Sequence, residues 1–169
     1  MNRSAGPARL RRLASARRGP AYPPARAAAM AALRAVCAGL LAWIGYIHLH
    51  LWLEGYRQIP VDGPFFLLDA VAAFAFAAAL LAWPRPAGGL LAAGFTASTI
   101  GALLISLSTG LFGFTESIHA AWVLPSLAAE ATAVLALLAW TVLSAAGPAQ
   151  PASGTGLVPA RAREPAAKQ

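Results

Sequence analysis

The chain has 169 residues, of which 59% are hydrophobic and 11% charged, with a formal net charge of +7 and a mean hydropathy of +0.62. That balance lies outside the range of ordinary soluble domains and is the composition of a membrane protein. The twelve arginines and one lysine form no basic stripe interleaved with aromatics and no glycine loop grips phosphate, so nucleic acid is not an expected partner; the lone Cys37 offers no internal disulfide, CxxC pair or thiolate cluster.

Residues 1–29, MNRSAGPARLRRLASARRGPAYPPARAAA, lack apolar periodicity and are rich in proline and arginine, which predicts a disordered basic segment. A signal peptide fits poorly, because the apolar run that follows has spanning length rather than that of a short secretory core. Translation from Met30 is the plain alternative.

A bilayer span takes about 20 apolar residues at 1.5 Å rise each. Four segments qualify, at about 35–53, 65–83, 90–107 and 120–143, within a transmembrane domain at 30–144. The expected fold is all-α: a polytopic, antiparallel bundle of four transmembrane helices with disordered termini, the second being the Pro-, Ala- and Gly-rich tail at 145–169. Trp52, Trp83, Trp122 and Trp140 fall near predicted ends, where indole rings favour the headgroup zone.

The first span ends in HLHLWLE. His48 and His50 are two residues apart, roughly 200° around a helix, so both cannot face the bundle. His48 shares its stripe with Leu41, Gly45 and Trp52, and Gly45 permits close helix approach. His50 shares its stripe with Trp43 and Tyr46, an amphipathic aromatic face. The expectation is His48 inward and His50 at the interface, against the plainer reading that both merely wet the helix end. The connection that follows, EGYRQIPVDGP, carries Glu54, Tyr56, Arg57 and Asp62 and is expected to fold as a compact turn held by an Arg57–carboxylate pair.

In the second and fourth spans, PFFLLDAVA and PSLAAEATA place Asp69 and Glu130 at the same distance after Pro64 and Pro125. If each proline opens its helix, both carboxyls lie roughly 8 Å deep at the same end of the bundle. Acids at that depth are expected to face inward and to pair or carry a proton, as structural hydrogen-bond partners or as a functional site. His48 with Gly45, Asp69 with Ala73 and Phe76, and Glu130 with Ser126 and Val134 define inward stripes, and their convergence predicts a cluster that titrates as a unit.

In the third span Gly94, Ser98, Gly101, Ile105 and Ser108 recur at helical spacing. Such a face predicts close packing, and hence a central helix, with a substrate groove as the second choice. The following connection, TGLFGFTESIHA, holds Glu116 and His119 three residues apart, with Phe112 and Phe114 expected to dip into the interface.

Arginine placement predicts orientation. Arg3, Arg9, Arg11, Arg12, Arg17, Arg18, Arg26 and Arg34 precede the first span, Arg85 joins the second to the third, and Arg161, Arg163 and Lys168 follow the fourth. Only Arg57 falls on the other side. The positive-inside rule therefore places both termini in the cytoplasm of a bacterial inner membrane, with the connections around 54–64 and 109–119 outside.

The strings HLHLWLEGYRQIP, GPFFLLD and GLFGFTE resemble those of a set of small four-helix integral membrane proteins of actinobacteria. The resemblance covers about residues 33–143 and is carried by the outer connections. It implies the topology, the source and a start near Met30, and transfers no catalytic residue. Asp62 departs from the pattern, in which an apolar residue precedes the Gly63–Pro64 pair.

Three function classes follow. The first and favoured one is a non-enzymatic accessory or interaction component, with the bilayer and either a membrane-protein partner or a second copy as its surroundings. The second is a small proton- or metal-ion-linked transporter or binding protein using Asp69 and Glu130. The third is a haem or quinone redox protein with His48 and His119 as axial ligands. No cofactor is expected. The acids and histidines suit a divalent metal by type, but HExxH and similar ligand spacings do not occur, so the metal question stays open.

Overall fold

The computed structural model describes residues 23–147; the leader before them and most of the tail lie outside the described residues. Four helices make up the fold: α1 (Pro24–Glu54), α2 (Asp62–Ala82), α3 (Pro86–Ser108) and α4 (Val123–Ala145), with a 3-10 turn at Tyr56–Gln58. Each is long and apolar enough to cross a membrane. The protein is an all-α four-helix bundle.

α1 starts at Pro24, well before the predicted span at 35 and inside the segment read as disordered. The reason is local: proline at the first helical position is pre-organised for a helix, and the run ARAAAMAALR that follows consists of strong helix formers. At 1.5 Å per residue α1 is about 46 Å long, so it outruns a hydrocarbon core of about 30 Å. α2 and α4 begin at Asp62 and Val123, so Pro64 and Pro125 each occupy the third helical position, where a missing N–H costs nothing. Asp69 and Glu130 are therefore each the eighth residue of their helix, at equal depth.

α1 packs along α2 and α4, α3 packs along α4, and α2 and α3 meet sparsely. The core is built from Cys37, Leu41, Ile44 and Ile47 of α1, Ala73, Ala77 and Leu80 of α2, Ala92 and Ala93 of α3, and Ala133, Leu137 and Trp140 of α4. Trp140 is 3% exposed and belongs to this core rather than to the headgroup zone. Large apolar side chains such as Leu68, Val71, Leu91, Leu135 and Val142 face outward, which suits lipid rather than water. Gly45 marks the closest approach of α1 to α2: a Cβ there would lie 3.1 Å from the Phe74 ring and 3.2 Å from the Ala70 carbonyl oxygen.

The small-residue stripe of α3 is not its packing face. Gly94, Ser98, Ile105 and Ser108 are exposed, and a Cβ on Gly94 or Gly101 would touch nothing within 4 Å. The buried face is Gly89, Ala92, Ala93, Thr96, Thr99 and Ser106. Both stripes have helical spacing, and they differ by two residues, roughly half a turn. Thr96 and Thr99 are satisfied within their own helix, bonding to the Ala92 and Thr96 carbonyls at 2.9 and 2.8 Å.

Candidate functional site

The ends of α1 and α3 and the starts of α2 and α4 gather at one end of the bundle, and the ionisable side chains gather with them. His48 is buried between helices, with Nδ1 2.9 Å from the Ile44 carbonyl. That carbonyl only accepts, so Nδ1 carries a proton and Nε2 is left to face the interior. Nε2 lies 4.0 Å from Asp69 Oδ2 and 3.9 Å from Glu130 Oε1. Three helices thus bring together an imidazole and two carboxyls. Thr99 from α3 stands beside the Glu130 carboxyl, completing a ring of four helices.

The fastening is loose. Ser126 donates to Glu130 Oε1 at 3.5 Å, and Oε2 of the same carboxyl has no hydrogen-bond partner although Glu130 is 1% exposed. The two His48 contacts exceed hydrogen-bond length. Among the described residues no Lys or Arg pairs with either acid. With a neutral imidazole and both carboxyls ionised the cluster carries two negative charges, so two protons spread over the three groups neutralise it. Three arrangements satisfy this, with His48 Nε2 standing 4.0 and 3.9 Å from the two carboxyls. A charged group in an apolar span is costly, so neutral arrangements are the ones that the site accommodates.

His50 belongs to a different assembly. Its Nε2 lies 3.2 Å from Glu54 Oε1 one turn on, and its ring stacks on Tyr46, which stacks on Trp43, and meets Trp122 edge-on at 5.1 Å. This aromatic staircase runs up the outer face of α1 to the final connection.

The first connection is not held as expected. Arg57 is exposed, and the ion pairs among the described residues do not include it. Tyr56 donates instead to the Glu116 carboxylate of the last connection, and its ring packs on Phe66 and Phe114. No spacing rule reaches across the 60 residues between those partners. Burial, reinforced by the Glu116 charge, raises the Tyr56 phenol above its ordinary 10.0. A group whose folded value is raised contributes stability that is present below the unfolded value and lost as pH rises through the folded one. Tyr56→Phe is therefore expected to lower stability by about 1.5 to 3 kcal/mol at neutral pH, the range for a bond to a charged group. It should also remove one component of the alkaline loss above pH 10; thermal melting of both proteins from pH 7 to 12 measures this.

Asp62, placed by the sequence in a connection, is the first residue of α2, 6% exposed, with Oδ2 unpartnered. The chain 111–114 closes a two-residue turn, with Leu111 and Phe114 exchanging backbone bonds of 2.7 and 2.8 Å. Phe112 and Gly113 take φ of 49° and 87°, as a type I′ turn requires, an uncommon conformation for phenylalanine. Phe112 stacks on Phe65 of α2 at 5.6 Å. Beneath this turn a cleft of about 720 Å³ opens between α2 and α3, lined by Asp62, Phe65, Phe66, Asp69, Phe95 and the small-residue face of α3. His119 is exposed in the same connection, its backbone N–H bonded to Ser117.

No group of three His, Cys, Asp or Glu side chains among the described residues is arranged to hold a metal ion. For haem, His48 turns its free nitrogen to two carboxyls while His119 sits exposed in a loop.

The class these features define is a four-helix membrane protein with an ionisable cluster buried at one end. No family model matches the chain, and no curated protein or solved structure does.

Proposed function

We propose that this protein binds and releases protons within the membrane through His48, Asp69 and Glu130, as a small proton-linked transporter or binding protein. The observation that carries the reading is the loose convergence of three ionisable side chains from three helices, with one Glu130 oxygen buried and unpartnered. An acid kept as structural glue would be bonded at each oxygen at about 2.5 to 3.0 Å. A proton-exchange site needs interchangeable protonation states, and this cluster offers them. The geometry thus favours proton exchange over the accessory or interaction role. A pH jump on the purified protein in a weakly buffered medium with an indicator dye tests it. Wild type should exchange more protons than the Asp69→Asn, Glu130→Gln double variant; equal exchange would sink the proposal.

The orientation with both termini in the cytoplasm of a bacterial inner membrane rests on the arginine asymmetry: Arg26, Arg34 and Arg85 lie at the end away from the cluster and Arg57 at the cluster end. Reporter fusions in the 84–85 connection and after Ser144 should score as cytoplasmic and a fusion after Gly110 as external. The reverse pattern would invert the bundle. The resemblance to actinobacterial four-helix proteins supports such a source.

A further inference from the structure

We propose that the cleft between α2 and α3 binds a lipophilic organic cation, its positive charge set against Asp62 and its apolar body against the phenylalanines. This goes beyond proton exchange and rests on other side chains.

At about 720 Å³ the cleft lies within the range of roughly 300 to 1,000 Å³ found for small-molecule sites. It is walled by α2, by the open small-residue face of α3 and by the 111–114 turn. The charge of the lining has one sign: Asp62, Asp69 and Glu116 are its ionisable members, and no Lys, Arg or His is among them. Glu116 is occupied by Tyr56 and by the Ser117 N–H, and Asp69 faces His48. Asp62 is different. It is more than nine-tenths buried, it lines the cleft, and its Oδ2 has no partner. That oxygen is closed to solvent, so a ligand in the cleft would offset its buried charge by supplying positive charge nearby rather than by donating a hydrogen bond.

The rest of the lining selects among cations. Five phenylalanines, including Phe65, Phe66 and Phe112, face the cleft. Ring faces attract cations and shed water, which suits an organic cation with bulk and penalises a small hydrated ion. The opening between two lipid-facing helices suits a ligand that partitions into the bilayer.

Equilibrium dialysis of the full chain in nanodiscs of zwitterionic lipid tests this, with tetraphenylphosphonium as probe and tetraphenylborate as the anion of similar shape. The phosphonium should bind saturably, one per chain, and the borate should not. Asp62→Asn should weaken cation binding at least tenfold, about 1.4 kcal/mol. Gly101→Phe extends into the cleft from a position where an added Cβ meets nothing within 4 Å, so it should abolish binding while the melting temperature holds. Dialysis reads the bound phosphonium directly, so its outcome is independent of the pH jump that tests the cluster. Equal binding of both ions, or unchanged cation binding in Gly101→Phe, would overturn the proposal and leave a groove for lipid chains.

Discussion

Glu130→Gln is expected to reduce the proton exchange of the cluster while leaving the fold close to wild type, whereas Glu130→Ala should reduce the exchange and destabilise the fold. Glutamine keeps the shape and the acceptor oxygen for Ser126, and its amide N–H₂ can donate to His48 Nε2 or Thr99, so the neighbours stay satisfied. Alanine strips the partners of His48 and Ser126 in a site that is 1% exposed. Orphaned buried polar groups cost about 1 to 3 kcal/mol, and the vacated volume adds to that. Melting in detergent and a dye-monitored pH jump read the two effects separately. Equal melting of the two variants would mean that Glu130 has no structural partners worth keeping. Wild-type proton exchange in Glu130→Gln would assign the proton elsewhere.

Gly89→Leu is expected to be the most destabilising change remote from the site. Gly89 lies in the first turn of α3, where that helix crosses the end of α4. A Cβ there would fall on the Thr141 hydroxyl and 2.8 Å from the Trp140 ring. Neither neighbour yields easily: Thr141 is β-branched and stiff, and Trp140 is fixed in the core. Overpacking of this kind costs about 1 to 3 kcal/mol or more. Gly94→Leu, five residues on, meets open space and should be neutral or stabilising, since glycine is disfavoured inside a helix by about 1 kcal/mol relative to alanine. Detergent melting of the two variants decides between a close α3–α4 crossing at Gly89 and none. Equal effects would contradict it.

Those two glycines also show what a sequence of this kind reveals. The spans were legible because crossing a bilayer demands long apolar runs, and the chain breaks them with proline and glycine. The depth of Asp69 and Glu130 was legible from their equal spacing after Pro64 and Pro125. The opposite faces of His48 and His50 followed from helical geometry alone. The rotation of α3 was not legible. In a water-soluble helix the polar side marks the outside; in a lipid-facing helix both sides are apolar, so Gly94–Ser98–Gly101 and Gly89–Ala93–Thr96 were equivalent candidates. The difference matters, because the stripe assigned to packing lines the cleft. The link between Tyr56 and Glu116 was hidden for a different reason: it joins two connections that only the folded bundle brings together. The early start of α1 could have been read from its proline and alanine run, but arginine and proline density pointed the other way.

Infrared difference spectroscopy of the carboxyl region tests the central claim most directly, with the protein in nanodiscs titrated through neutral and acidic pH. A proton shared among His48, Asp69 and Glu130 predicts a carboxylic-acid band that rises and falls with pH, shifts in heavy water, and disappears in the Asp69→Asn, Glu130→Gln double variant. A wild-type spectrum without a titrating carboxyl band, or one whose band survives in the double variant, would contradict proton exchange at this cluster.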